Sequence, residues 1–173
     1  MEINLNYSEK EIKWNYNTEN YIYKVDDIEF VTESCQYIYI EINKDTGYEY
    51  RYIDLKGNDI CWYNENNDIS IFDRGSKIRK DIHMSEIRDV MIIKDMIYVM
   101  KGKSEVLQFD AKGDINTVII APQGYRYYRF TGSDKLEVVC QGNEQTADKF
   151  DRNDWRFEYN FQVNKWYKKS LAM

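Results

Sequence analysis

Apolar and polar residues alternate along this chain over many short runs. Residues 37 to 42, Tyr-Ile-Tyr-Ile-Glu-Ile, put Ile38, Ile40 and Ile42 on one face and Tyr37, Tyr39 and Glu41 on the other. A period of two marks a strand with one buried face, because successive side chains of an extended backbone point to opposite sides. After Asn43 to Gly47, a loop whose glycine can take positive φ, Tyr48, Tyr50 and Tyr52 alternate with Glu49, Arg51 and Ile53. That predicts a second strand joined to the first by a short hairpin. The chain then turns through Asp54-Leu55-Lys56-Gly57-Asn58 into a third strand at Ile60 to Tyr63.

The same plan recurs downstream. Met96 to Met100 leads through Lys101-Gly102-Lys103-Ser104 to Glu105 to Phe109, and then through Asp110-Ala111-Lys112-Gly113-Asp114 to Ile115 to Ile120. In a third copy, Leu136 to Cys140 and Trp155 to Tyr159 flank a longer loop, and Asn160 to Asn164 leads into Lys165-Trp166-Tyr167. Another apolar stretch precedes each trio, at Ile28 to Val31, Val90 to Ile93 and Tyr127 to Phe130. The pattern predicts an all-β, mostly antiparallel chain with three four-stranded meanders at about residues 28–63, 90–120 and 127–169. The anchors Asp54, Asp110 and Asn160 stand 56 and then 50 residues apart, near the roughly 40 to 50 residues of a propeller unit. In the turns IDLKGND and FDAKGDI, and in the degenerate YNFQVNK, the chain resembles β-propeller-type repeat proteins. The resemblance implies blade-like sheets that hide their apolar faces against neighbours. A β-sandwich or an open twisted sheet is the alternative.

Two stretches lie outside the repeats. Residues 1–25 offer strands at Ile3 to Tyr7, Ile12 to Tyr16 and Tyr21 to Val25, suited to a further partial blade or to covering an open edge. Residues 64–89 form a connection in which Ile69 to Phe72 reads as an extra strand, while Ile78, Ile82 and their polar neighbours suit either extended chain or one or two helical turns. The length of 173 residues and mass of 20.9 kDa fit one domain.

Composition narrows the function. A net charge of −6 argues against nucleic acid and anionic membranes as partners, since both are bound through basic surfaces. Cys35, Cys61 and Cys140 are too widely spaced for a disulfide framework or a zinc site and read as reduced core residues. The start MEINLNYSEKEIKW lacks the basic and apolar regions of a signal peptide, so a cytoplasmic location is expected. The lone His83 has no neighbouring pattern of a nucleophilic site, and no glycine loop suits a phosphate. Neither enzymatic activity nor a cofactor is expected.

The third repeat carries the main irregularity. Its middle connection, 141–154, is 14 residues long against five and four for 43–47 and 101–104. Loops of that length in a compact domain usually carry function or are disordered. It holds Glu144, Asp148, Asp151, Arg152 and Asp154 and ends on Trp155, and Trp and Arg are frequent binding anchors. The expectation is a protein-binding module with a basic partner, for instance an immunity-type or inhibitor protein, in which homo-oligomers through open strand edges are also allowed. A glycan-binding module using Trp62 and Trp166 is one alternative. A carboxylate-dependent hydrolase using Asp148, Asp151 or Asp154 around a hard cation is another.

Overall fold

The computed structural model describes residues 3–34, 36–132 and 134–172, so Cys35 and its expected core role lie outside the described residues. The fold is all-β, built of four open antiparallel sheets in which each strand pairs with its neighbour in sequence. Strands β1 (Leu5–Tyr7), β2 (Glu11–Tyr16) and β3 (Glu19–Lys24) form the first sheet. The second runs β4 (Ile28–Glu33), β5 (Tyr37–Lys44), β6 (Gly47–Asp54), β7 (Asp59–Asn64), β8 (Asp68–Phe72) and β9 (Arg79–His83). The third holds β10 (Ile87–Ile93), β11 (Met96–Lys101), β12 (Glu105–Phe109) and β13 (Ile115–Ile120), and the fourth β14 (Arg126–Phe130), β15 (Glu137–Gln141), β16 (Asp154–Asn160) and β17 (Lys165–Leu171).

The first repeat therefore differs from the expected four strands. Residues 64–89 do not merely connect, because β8 and β9 extend the sheet to six strands and residues 78–82 are extended rather than helical. The turn before β8 explains part of this. The Asn64 carboxamide oxygen accepts from the amides of Asn66 and Asp68 at 2.9 and 3.1 Å, while Asn67 takes φ 66°. β8 is the extra strand expected at Ile69 to Phe72, and Ile69, Ser70 and Ile71 are all buried in it.

That turn is one copy of a device used repeatedly. Asp54 accepts from Lys56 and Asn58 amides at 2.9 Å, with Gly57 at φ 81°. Asp110 accepts from the Asp114 amide at 3.0 Å, with Gly113 at φ 78°. In the degenerate copy, Asn160 accepts from Gln162 and Val163, and Asn164 adopts the left-handed conformation at φ 51°. An Asp or Asn side chain caps the turn, and a residue tolerant of positive φ reverses the chain.

The chain divides into two compact units, residues 1–84 with Ala111–Gly113, and Ser85–Asp110 with Asp114–Met173. In the first, Ile12 and Trp14 of β2 meet Ile38, Ile40 and Ile42 of β5 in one core, and the Trp14 indole N–H donates to the Leu55 carbonyl at 2.9 Å. In the second, Met91, Tyr98, Met100 and Val106 of the third sheet pack with Tyr127, Val138, Cys140 and Phe157 of the fourth. The Asp89 carboxylate also accepts from the Phe130 amide at 2.8 Å, pinning β10 to β14. Each large apolar side chain so buried contributes about 1.5–3 kcal/mol.

Candidate functional site

In the second unit the β15–β16 connection is an ordered loop. Its neck closes where the Gly142 amide donates to the Asn153 carbonyl at 2.8 Å. The space beside Gly142 is filled by Thr146 and Tyr125, so a Cβ there would collide with Thr146. Thr146 Oγ1 accepts from the Asn143 amide at 2.7 Å, and the Asn143 side chain accepts from Gln145 at 3.0 Å. The tip repeats the turn device: Asp148 Oδ1 accepts from the Phe150 and Arg152 amides at 2.8 and 3.1 Å, and Asp151 takes φ 59°.

Arg152 completes that turn with two bonds to Asp148 Oδ2, from Nε at 2.9 Å and Nη2 at 2.6 Å. These bonds, joined by the two amides, outweigh desolvation and hold the Asp148 carboxyl down to about 2. Asp148 and Arg152 are thus committed to each other. Phe150 stands at the apex with 63% of its surface exposed, its ring between Lys149 Nζ at 4.8 Å and Arg152 Cζ at 5.0 Å. Glu144, Asp151 and Asp154 are exposed, and no described side chain pairs with their carboxylates.

Trp155 is placed differently. It lies on the opposite face of β16 from Asp154 and packs with Phe157 and Tyr159 against the core of the second unit. The Lys168 ammonium sits 3.4 Å from its ring centroid, so the ring face is already covered. Asp154 and Arg156 share the other face of β16. They line an open pocket of about 660 Å³ at the loop base, together with Asp151, Arg152, Asn153, Ser170, Leu171 and Ala172. Phe150 and Arg156 are the two site residues that the sequence pattern passes over. Phe150 could have been found by matching Asp148 and Asp151 to the Asp-x-x-Gly turns, which places it at an apex.

The alternative candidates sit elsewhere. Trp62 is in the first unit and Trp166 in the second. Trp62 donates to Asp59 at 3.0 Å, and its ring lies 3.9 Å from the Arg51 guanidinium and 4.8 Å from Phe72. Trp166 donates to the Ile120 carbonyl at 2.8 Å and meets the rings of Tyr127 and Tyr159 edge-on. Both indoles are occupied within the fold. Trp62 also borders a groove of about 530 Å³ across β6 to β9. There the Ser70 hydroxyl donates to Asp81 at 2.6 Å, while His83 pairs with Asp68 at 2.8 Å, so serine and histidine have separate partners. Among the described residues no three His, Cys, Asp or Glu side chains gather in a metal-binding group, and no helix is long and apolar enough to cross a membrane.

No family model matches the chain, and no curated protein matches its sequence. Among solved structures it is similar to apo AztD from Citrobacter koseri, with a TM-score of 0.51 and 10% identity over 98% of this chain and 60% of that one. The likeness is one of all-β fold. The chain spans about 60% of the length of that structure.

Proposed function

We propose that the protein is a non-enzymatic binding module whose 142–153 loop engages a protein partner. The observation that carries this reading is Phe150, a large aromatic held in water at the tip of a loop that is already ordered. Exposing an aromatic without a partner costs free energy, and presenting it on a rigid turn lowers the ordering entropy that association must overcome. Anchors of this kind dominate binding when a pocket on the partner excludes water around them. With Asp148 neutralised by Arg152, the loop and its base keep three free carboxylates, Glu144, Asp151 and Asp154, against two cations, Lys149 and Arg156. A basic surface around an apolar pocket is the complement, and a basic toxin or enzyme blocked by an immunity-type protein is one such partner.

The successive antiparallel meanders and the recurring turn support a reading of the individual sheets as propeller-like repeats. Propeller folds host many functions, so the arrangement itself does not choose among them. The test is affinity capture from lysate of the source organism with the native chain, with Phe150→Ser, and with residues 142–153 replaced by a two-residue Asn-Gly turn. One protein enriched by the native chain, and lost with both variants, is the expected result. Equal capture by all three baits would contradict a role for the loop.

A further inference from the structure

Arg156 sits directly beneath the loop and is left unmatched. It is half-buried on β16, and opposite it across the ladder is Val139 of β15, which is 3% exposed. Its Nε–H is out of contact with solvent and has no hydrogen-bond partner among the described residues. No carboxylate pairs with its guanidinium either. Asp154, two residues earlier on the same face, makes no ion pair with it, and the Arg152 fork is taken by Asp148. A sequestered guanidinium donor without an acceptor is costly. No occupant of the open pocket reaches that Nε, but the same guanidinium lines the pocket and leaves its two Nη groups there, which a planar carboxylate satisfies by accepting two parallel N–H bonds. The pocket at that point, about 660 Å³, has room for more than a single carboxylate.

We infer that the pocket below the loop is a carboxylate-binding subsite in which Arg156 is the anchoring donor. It rests on the reading of the loop as a recognition surface and names what the partner brings to it. The partner inserts a carboxylate, from an Asp or Glu side chain or from its chain end, beside the Phe150 contact. The nearby Asp151 and Asp154 repel a bare anion. They therefore select a carboxylate flanked by cations, such as an acidic residue set among lysines or arginines. Ser170 supplies a hydroxyl on the pocket wall.

The test follows the Arg156 Nε–H resonance in nitrogen-15 NMR, assigned by its loss in Arg156→Lys. The probes are sodium acetate, the peptide Ac-Lys-Glu-Lys-NH2, the dipeptide Ac-Lys-Ala with a free carboxyl end, and Ac-Lys-Gln-Lys-NH2 as control. Acetate should shift the resonance saturably at millimolar concentration. One of the two lysine-flanked carboxylates should bind at least tenfold more tightly than acetate, and which one does so separates side chain from chain end. Arg156→Lys, folded by its amide spectrum, should weaken that peptide at least tenfold. No saturable shift, an equal shift with sodium chloride or the Gln control, or unimpaired binding to Arg156→Lys would overturn the inference. A saturable Arg156 shift in a protein whose partner capture ignores the loop would leave the subsite standing and remove the loop reading.

Discussion

Asp148 organises the loop tip through one carboxylate, and its titration shows how far the loop depends on it. Its folded-state pKa is depressed to about 2, so its contribution is complete above the usual carboxylate value and is lost as pH falls through about 2. The Phe150 resonances should therefore keep their native shifts at pH 4 and move toward random-coil values as pH falls through about 2, in an acid titration by NMR. Movement centred at pH 4 or above would mean that Arg152 does not hold Asp148. Cys61 and Cys140 are governed by burial instead. Desolvation raises both thiols, Cys140 to about 12, so the thiolate is scarce at neutral pH. Neither should be alkylated by iodoacetamide in the native protein at pH 7.5, as read by mass spectrometry, and both should be in urea.

At the scale of elements, one turn recurs in four settings, with a version one residue longer at Asn160, and only some were visible as sequence. Asp54 with Gly57 and Asp110 with Gly113 announce themselves because glycine marks positive φ. Asn67 and Asp151 take the same left-handed position at φ 66° and 59°, and Asn164, four residues after its capping Asn160 rather than three, takes φ 51°, a role Asn and Asp fill because they tolerate that conformation better than other side-chain-bearing residues. The loop tip was hidden for this reason. Asp151→Gly should preserve or raise stability by up to about 1 kcal/mol, since glycine relieves the positive φ while adding chain entropy to the unfolded state. Asp148→Ala should detach the tip and speed amide exchange at Phe150 and Arg152, measured by NMR. The alternation of β5 and β6 was plain because one face meets the first sheet. The run Ile69 to Phe72 was legible as a strand, whereas β9 was open to a helical reading because four of its five residues are exposed and no buried face marks a period. The site was legible as a long acidic loop. Its committed pair, its exposed apex and the orphaned Arg156 depend on register and on turn geometry that composition does not encode.

At the scale of the molecule, the buried cores and the exposed 142–153 loop are separate parts of the structure. Ile40 is fully buried against the first sheet, whereas Ile78 is 67% exposed. Ile40→Ala should cost about 2–5 kcal/mol in urea unfolding, and Ile78→Ala should stay within about 0.5 kcal/mol. The loop hangs from β15 and β16 by its neck, so changing its tip should leave both cores intact and alter binding alone. The most direct measurement is hydrogen–deuterium exchange of the chain with and without the protein captured from lysate. The account predicts new protection concentrated in residues 143–157, with the β6 to β9 groove unchanged. Protection confined to that groove, or to any surface other than the loop and its base, would contradict it.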